Sequence, residues 1–306
     1  MRIKIHRFIL SSIAFFSCYD FASGTFYSDF PEVKQFAKKI SAENNLSYEK
    51  VISHFSLVKS DKKGTESLLE LSSKPVEQTA SWDRYHKIFI TKERIKQGKS
   101  FYKKNLSHLR QTYEKYGVPG SVIAATIGME SVYGKNIGSF NVFRVLCIHS
   151  FEGKRRKKFF REQLKYLIVL HEKEGLFDLK SLKGSYSGAI GPAQFMPSSI
   201  FHYAVDGDED NTRNMLDDYK DIIVSVANYY KEAGFQKDSK VVKKISFKQA
   251  QKIKENEKNR VVVLTLENNK KEYYYSYKNF RAIKRYNNSN YYAMALHLLS
   301  KKILSR

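Results

Sequence analysis

The sequence predicts a mainly α-helical protein that carries one small antiparallel β unit. Apolar residues recur at intervals of three and four along most of the chain, which is the period of amphipathic helices. Near the C-terminal end the period changes, and two β-rich runs, 261–266 and 272–277, flank the turn residues Asn268 and Asn269. The 306 residues are enough to build a sizeable core.

The first residues have the pattern of an export signal. A basic front is followed by the apolar run 8–18 and by the small residues 22–24, so we expect the mature chain to begin near Thr25. Cys18 ends a segment that resembles a bacterial lipoprotein box, although Phe15 is unusual at its first position. We therefore expect a periplasmic protein, either soluble or anchored to the outer membrane as a lipoprotein through Cys18. The remaining thiol, Cys147, is expected to be buried.

The N-terminal part contains short helices. Apolar spacing predicts helices at 33–40 and 48–55, with Ser47 as the N-cap of the second. Residues 61–80 are polar and contain glycine and proline, so a loop with one helical turn at 68–71 is expected. A long helix is predicted at 92–116, after the segment that holds the only Trp.

The next helix carries one carboxylate among apolar residues. Pro119 fits its first turn and Gly134 fits its end. At 3.6 residues per turn Glu130 shares a face with Ile123 and Ile127. Desolvation there would raise the pKa of the carboxyl group and make it a proton donor near neutral pH. A glutamate that turns to water or meets an arginine is the alternative.

Three further features follow this helix. A helix is predicted at 159–172, and the basic run 154–158 before it is read as a solvated face that could also meet an anionic polymer. The glycine-rich stretch 184–199 contains Phe, Met and Gln, which indicates an ordered loop that lines a cleft and leads into a helix capped by Ser198 or Ser199. The last helices are predicted at 219–233, ended by Gly234, and at 291–299.

An acidic loop lies between these helices. Oxygen side chains occupy its positions 1, 3 and 5, as in a calcium-binding EF-hand loop: Asp206, Asp208 and Asp210. Position 6 holds Asn211 instead of glycine, and asparagine tolerates the left-handed backbone needed there. Asp217 stands at position 12, with Asp221 one turn further on. A solvated acidic loop is the alternative to a metal site.

Eight ordered blocks together resemble the membrane-bound lytic murein transglycosylase B family, from about Val33 to the C-terminus. The blocks are Ser81-Trp-Asp-Arg-Tyr, Tyr116-Gly-Val-Pro, Ile127-Gly-Met-Glu-Ser, Leu182-Lys-Gly-Ser-Tyr-Ser-Gly-Ala-Ile-Gly, Gln194-Phe-Met-Pro-Ser-Ser, Tyr203-Ala-Val-Asp, Ser225-Val-Ala-Asn-Tyr and Arg285-Tyr-Asn-Asn-Ser-Asn-Tyr-Tyr-Ala-Met. The resemblance implies a lysozyme-like α-helical core with a small antiparallel β subdomain and an N-terminal helical region. It also implies cleavage of the MurNAc-GlcNAc bond of peptidoglycan, which leaves a 1,6-anhydro sugar.

Site residues follow from the resemblance position by position. Glu130 takes the place of the single catalytic acid/base. The glycan-binding positions are Ser185, Gln194, Tyr229, Tyr286 and Asn287. The acidic loop matches an EF-hand-like site whose ligands would be Asp206, Asp208, Asp210, Thr212 and Asp221, although the spacing to Asp221 is one residue longer than expected. Catalysis needs no cofactor in this scheme, and any Ca²⁺ would be structural.

The predicted organisation has five parts: a signal peptide at 1–24, a helical region at 25–115, the catalytic core at 116–236, the β subdomain at 237–282 and a returning helix at 283–306. The 54 Lys and Arg against 31 Asp and Glu give a net charge of +23, which favours an anionic partner such as peptidoglycan strands. A monomer is expected. A wall-binding or scaffold protein that has lost the chemistry is the competing hypothesis. A nucleic-acid binder is disfavoured, because no zinc-finger or RNP-type motif accompanies the charge.

Overall fold

A computed structural model describes residues 24–73 and 81–305, and helices dominate it. The helices are α1 Pro31–Asn44, α2 Tyr48–His54, α3 Lys62–Ser73, α4 Trp82–Phe89, α5 Lys92–Lys104, α6 Leu106–Tyr116, α7 Gly120–Ser131, α8 Val142–Cys147, α9 Lys157–Glu174, α10 Pro197–Tyr203, α11 Tyr219–Glu232, α12 Phe247–Gln251, α13 Lys278–Tyr286 and α14 Asn290–Leu304. The strands are β1 Phe140–Asn141, β2 Lys183–Gly184, β3 Val242–Ile245, β4 Val261–Thr265 and β5 Lys271–Ser276. The mainly helical class with a small β unit is confirmed.

Helix α7 lies in the middle of the core and packs against α5, α6, α11 and α14. Every residue of α7 except Glu130 is buried, as expected for a helix that is apolar on all sides. Pro119 is its N-cap and precedes the first turn. The helix ends at Ser131, and the left-handed residue that stops it is Val132, with φ of 53°, two positions before the predicted Gly134.

The side chain of Tyr133 fills a slot between α5 and α7. A Cβ atom added at Gly98 of α5 or at Gly128 of α7 would lie 2.4 Å from the Tyr133 hydroxyl oxygen. That hydroxyl donates to the carbonyl of Arg94 at 3.2 Å, and Tyr133 has a left-handed φ of 59°. The two glycines therefore allow one aromatic ring to sit where a larger side chain would collide with it.

The two N-terminal helices lie close to their predicted positions. Helix α1 extends beyond the predicted range at both ends, and α2 ends one residue before the predicted end. Ser47 caps α2 as predicted, since its hydroxyl accepts from the Lys50 amide at 3.2 Å. Aromatic rings join this region to the rest of the protein. Phe55 lies 5.5 Å from Phe143, measured between ring centroids, and further ring pairs surround Phe151.

Two predictions between residues 61 and 116 were wrong. The expected loop begins with α3, which forms because Leu68 is buried against the core; residues 74–80 lie outside the described residues. The segment with the only Trp, for which the sequence pattern predicts no structure, is helix α4, and its Trp82 is 5% exposed. The long helix is split at Asn105, whose side-chain amide donates to the Phe101 carbonyl at 2.9 Å and competes with the helical backbone.

The β unit is a three-stranded antiparallel sheet with strand order β3-β5-β4. The predicted hairpin is confirmed: Val263 pairs with Tyr273, and Asn269 in the turn has a left-handed φ of 59°. Strand β3 was not predicted. Its residues 242–245 are two lysines between two apolar residues, a pattern too short to indicate a strand. The strand forms because it pairs with β5.

The predicted signal segment and Cys18 lie in residues 1–23, outside the described residues. Cys147 is fully buried, as predicted, and burial raises the pKa of its thiol well above the ordinary value. Within 24–73 and 81–305, no helix has the length and apolar character needed to cross a membrane.

Candidate active site

Glu130 is the half-buried end of an otherwise buried helix. Ile123 and Ile127, which share its face, are fully buried. The helix stops one residue later, and the hydroxyl of Ser131 donates to the carbonyl of Pro192 at 2.6 Å. The carboxylate is therefore held between an apolar core on one side and the glycine-rich segment on the other.

Tyr292 binds this carboxylate directly. Its hydroxyl lies 2.5 Å from Glu130 Oε1 and donates to it. Tyr292 stands in the first turn of α14, where the Ser289 hydroxyl accepts from its amide at 3.2 Å. Burial, followed by the negative charge of Glu130, raises the pKa of the Tyr292 phenol well above its ordinary value. The phenol therefore stays protonated at neutral pH and remains a hydrogen-bond donor.

Tyr230 and Tyr286 lie close to the same position, and the ring of Tyr229 packs against both of them. The Tyr230 hydroxyl lies 2.8 Å from Oγ1 of Thr126, one turn before Glu130 on α7. The Tyr286 hydroxyl donates to the Ala193 carbonyl at 2.5 Å, and that of Tyr229 donates to the Arg285 carbonyl at 2.5 Å. Burial is the main cause that raises all three phenol pKa values, to about 12 for Tyr229. The charge of Glu130 contributes at Tyr230 and Tyr286, which places both phenols near it.

The glycine-rich segment is ordered, as predicted. Strand β2 pairs with β1, and Ile190 bridges to both Gly184 and Phe195, so the segment folds back on itself. The predicted cap of the following helix is wrong. Pro197 occupies the first turn of α10, and Ser198 lies within that turn. The side-chain oxygen of Gln163, from α9, accepts from the Ser198 amide at 3.0 Å and takes the place of a capping serine.

The predicted glycan-binding residues lie on the segments that meet at the end of α7. The Gln194 side-chain amide donates to the carbonyls of Ile137 at 3.1 Å and Gly191 at 2.9 Å, which leaves its oxygen as an acceptor. The Ser185 hydroxyl oxygen accepts from two backbone amides of its own turn. Asn287 is exposed and directly follows Tyr286. The Tyr286 hydroxyl thus joins the C-terminal segment to the glycine-rich segment at Ala193, next to Pro192, whose carbonyl accepts from Ser131 at the end of α7. Ser185 and Gln194 lie on the glycine-rich segment, and Asn287 lies on the C-terminal one.

Sequence reasoning missed Tyr292 and Tyr230 as parts of this site. Both belong to pairs of adjacent tyrosines, Tyr291-Tyr292 and Tyr229-Tyr230. Helical spacing says that the members of such a pair point about 100° apart, but it does not say which one faces a carboxylate on another helix. The block that contains Tyr292 was identified, whereas the residue within it was not.

The acidic loop brings its three predicted aspartates together. Asp206, Asp208 and Asp210 each offer a carboxylate oxygen within 4.8 Å of the others. The Asp206 carboxylate accepts from three backbone amides, including that of Asn211 at 2.8 Å. Asn211 has a left-handed φ of 71°, as predicted for the position that is usually glycine. Thr212 donates its amide to Asp210 at 2.8 Å, so the loop is closely wound.

A second acidic group adjoins the first through Asp208. It consists of Asp208, Asp218 and Asp221, and Asp218 was not predicted. Asp221 is fully buried and accepts from the amides of Gly207 and Asn214, each at 2.6 Å. Burial nevertheless raises the pKa of its carboxyl group. Asp217, the other candidate for the last ligand, instead accepts from the Asn214 side chain at 2.6 Å.

The donor set fits a hard divalent cation. Carboxylate oxygens are the ligands that Ca²⁺ prefers. Among the described residues, Oδ1 of Asp208 is buried without a hydrogen-bond partner, while Oδ2 pairs with Lys220 at 3.1 Å. A buried carboxylate oxygen with no donor is costly unless a cation faces it. Asp208 also belongs to both acidic groups, so one ion near it would be shared by them.

A basic cavity of about 800 Å³ opens beside the glycine-rich segment. It is lined by the basic residues 154–156, by His149 and Phe160, whose rings stack 4.2 Å apart, and by Ser187. The predicted basic run is thus partly the wall of a cavity rather than only a solvated face. Ser187, which lines the cavity, is two residues after Ser185 in the chain.

Comparison with known families gives one match that spans nearly the whole described chain. Residues 28–301 match the family model described as the transglycosylase SLT domain. A curated relative, membrane-bound lytic murein transglycosylase B of Escherichia coli strain K12, is 32% identical over 252 residues, which cover 75% of this chain and 69% of that protein.

Solved structures show the same similarity. Soluble lytic transglycosylase SltB1 from Pseudomonas aeruginosa superposes with a TM-score of 0.80 at 32% identity, over 89% of this chain and 98% of that one. The Escherichia coli lytic transglycosylase Slt35 in complex with calcium gives a TM-score of 0.78 at 29% identity, over 92% of this chain and 96% of that one.

Proposed function

This chain belongs to the transglycosylase SLT domain family and is a lytic transglycosylase that cleaves peptidoglycan; on that premise, we propose that Glu130 serves as its only acid and base. Hydrolases that retain or invert a sugar centre normally use two carboxylates. The surroundings of Glu130 support a different arrangement, because the groups described around it are the phenols of Tyr230, Tyr286 and Tyr292.

The reaction then proceeds in two proton transfers at one residue. Glu130 donates its proton to the oxygen that leaves C1 of MurNAc as the β-1,4 bond breaks. The resulting carboxylate accepts the proton of the muramyl C6 hydroxyl while that oxygen bonds to C1. The products are a GlcNAc end and a 1,6-anhydro-MurNAc end, no water is consumed, and Glu130 returns to its protonated state.

Tyr292 positions the acid in this proposal. Its hydrogen bond occupies Oε1 of Glu130, so the transferable proton is favoured on Oε2. Because the Tyr292 phenol remains protonated near neutral pH, it stays a donor in both halves of the reaction. Tyr292 is a positioning residue, since it acts through the carboxylate and needs no contact with the sugar.

The five predicted glycan-binding residues are proposed to hold the sugars on either side of the bond. The Ser185 hydroxyl can donate to an N-acetyl carbonyl, since its oxygen already accepts from backbone amides. The Gln194 side-chain oxygen can accept from a sugar hydroxyl. The rings of Tyr229 and Tyr286, both half-buried, are proposed to stack on sugar faces, and Asn287 adds an exposed amide. The net charge of +23 favours the anionic peptide stems of the polymer.

The acidic loop is proposed to hold one structural Ca²⁺. The ligands would be the carboxylates of Asp206, Asp208, Asp210 and Asp221 with the Thr212 carbonyl. A related transglycosylase was solved in complex with calcium, which supports the assignment. Bound calcium would supply positive charge to the clustered carboxylates, whereas the acid–base steps use only this chain's own side chains.

Export to the periplasm is proposed from the N-terminal pattern, and a relative is named membrane-bound. We also propose that the protein is a monomer and that it is either soluble in the periplasm or anchored to the outer membrane through Cys18. Labelled palmitate distinguishes the last two forms.

The main support for this function is the carboxylate of Glu130, which lies at the end of the buried helix α7 and accepts a hydrogen bond from Tyr292. Mass spectrometry of muropeptides released from purified peptidoglycan tests the proposal. Anhydro ends are expected. Reducing ends would show a hydrolase, and bound but uncut glycan would show a wall-binding protein instead.

A further inference from the structure

A second group of metal-binding side chains lies far from the acidic loop in the sequence. His54, His171 and Glu172 each offer a ligand atom, and these atoms all lie within 4.8 Å of one another. His54 ends α2, whereas His171 and Glu172 lie in the last turn of α9. The His54 and Glu172 side chains are only 16% and 12% exposed. Two imidazoles and a carboxylate thus meet in a largely buried place where two helices approach.

The three groups are more closely organised than an ion pair requires. Nε2 of His54 lies 2.5 Å from Oε1 of Glu172. The His171 ring stands against the His54 ring, with centroids 4.9 Å apart and planes at 82°. An ion pair between His54 and Glu172 would be complete without this second imidazole. Its presence supplies a third ligand.

The orientation of His171 is fixed by the chain that follows α9. The backbone reverses at Gly175, which has a left-handed φ of 64°, and brings the Phe177 carbonyl to 2.6 Å from Nδ1 of His171. A carbonyl oxygen only accepts, so Nδ1 carries the hydrogen and Nε2 of the neutral ring has its lone pair free. Histidines that bind metals typically donate their other ring N–H to a backbone carbonyl in this way.

We propose that His54, His171 and Glu172 form a binding site for a first-row divalent transition metal of the Zn²⁺ class. Imidazole and carboxylate ligands suit Zn²⁺ and differ from the all-oxygen set of the acidic loop. Ligand atoms in a tetrahedral zinc site are about 3.4 Å apart, given bond lengths near 2.0–2.1 Å. Side-chain rotations would widen the 2.5 Å between Nε2 of His54 and Oε1 of Glu172 and bring the ligand atom of His171 to the same spacing. His54 would bind through Nε2 as the tautomer that carries its ring hydrogen on Nδ1, so the metal would take the place of the hydrogen between His54 and Glu172 with no net loss of a proton, and water would fill the fourth position.

The site would join the N-terminal helical region to the core. Helix α2 contributes one ligand and α9 contributes two, so bound metal would tie these helices together at the end of α9. The ion pair between Arg161 of α9 and Glu32 of α1 lies about 15 Å further back along α9. A ligand that binds only the folded state stabilises it. The metal is therefore structural and has no part in the chemistry at Glu130.

Zinc titration of the untagged full chain tests the proposal. The protein is stripped with chelator, and calcium is then added in excess to occupy the acidic loop. Calorimetry is expected to show one bound Zn²⁺, with a raised melting temperature. His54→Gln and His171→Gln should each weaken binding by more than the 10–100-fold that loss of a supporting hydrogen bond to a ligand costs. His202→Gln, at an exposed histidine whose Nε2 lies 3.1 Å from the Tyr166 hydroxyl, is the matched control and should bind normally.

Two results would overturn the site. The first is wild-type protein that binds no zinc with calcium present. The second is zinc affinity unchanged in both His54→Gln and His171→Gln. If either variant fails to fold, as judged by circular dichroism, X-ray absorption at the zinc edge of the wild-type protein decides. Two imidazole ligands are expected, and a shell of oxygens alone would contradict the assignment.

Discussion

The hydroxyl of Tyr292 lies 2.5 Å from Oε1 of Glu130 and links α14 to α7 across 162 positions of the chain. This contact gives the C-terminal helix a direct part in the active site. The contact also allows two proposed roles to be tested separately, namely proton transfer by Glu130 and the orientation of Glu130 by Tyr292.

Tyr292→Phe removes the hydroxyl and keeps the ring. A hydrogen bond to a charged group contributes about 1.5–3 kcal/mol, so we expect kcat to fall roughly 10–100-fold with little change in KM. Muropeptide release at several substrate concentrations measures both. Tyr291→Phe is the control, because that hydroxyl lies near the backbone of Thr265 instead. Equal kinetics in Tyr292→Phe and wild type would remove the positioning role.

Glu130→Gln is expected to keep the fold and glycan binding but to lose nearly all turnover, because an amide neither gives nor accepts the proton. Loss of general acid–base catalysis costs about 10²–10⁴-fold. Mass spectrometry of released muropeptides measures the loss, and Glu232→Gln, at an exposed glutamate, should remain active. Substantial release by a clean Glu130→Gln preparation would refute the assignment.

His297 on α14 gives the protein a predicted sensitivity to acid. Burial, with a smaller effect of the Lys301 charge, lowers the pKa of His297 to about 4. The unfolded chain has the ordinary value of about 6.5, so between these two values the unfolded state binds more protons and stability falls as pH falls. We expect this group to cost about 2–3 kcal/mol near pH 4.5 relative to pH 7.

Denaturant titrations at pH 7 and pH 4.5 measure this cost. His297→Gln should reduce the difference in unfolding free energy between the two pH values, whereas His202→Gln should leave it unchanged. The same pH dependence in wild type and His297→Gln would show that other groups are responsible.

Calcium should stabilise the folded protein through the acidic loop. Binding to the folded state alone contributes about 2.7 kcal/mol when free calcium is a hundredfold above Kd. Thermal melts with calcium and with EDTA should therefore differ, and Asp208→Ala should abolish the difference. Asp217→Ala should retain it, because that carboxylate is turned to Asn214. Identical melts with no heat of calcium binding would show a solvated acidic loop and leave the Glu130 mechanism intact.

Export should be visible in cell fractionation. We expect the mature chain in the periplasm without Met1, and labelled palmitate distinguishes a form tethered through Cys18 from a soluble one. Cys18→Ser should abolish any label while the protein is still exported. A cytoplasmic protein that retains Met1 would contradict the predicted signal segment.

Sequence patterns predicted what is local in this molecule. The hairpin around Asn269 and the helix that carries Glu130 depend on turn residues and apolar spacing, which neighbouring residues determine. Helix α3 was missed because its glycine and polar residues favour a loop, while burial of Leu68 against distant parts of the chain decides the outcome. Tyr292 was missed for the same reason, since its partner lies on another helix. The family resemblance supplied Gln194 and Tyr286, which spacing alone would not have identified.

The slot that holds Tyr133 links residues of α5 to the proposed active site at the end of α7. Gly98 and Gly128, on two different helices, both lie against the Tyr133 phenol. A methyl group added at either glycine would collide with the Tyr133 hydroxyl and force the ring to move. Displacement of Tyr133 would be passed to the carboxylate three positions earlier in the chain. A change at residue 98, on a different helix from Glu130, would thus appear as an inactive enzyme with every cleft residue intact. A substitution of Gly98 in a natural variant should therefore be examined for loss of activity.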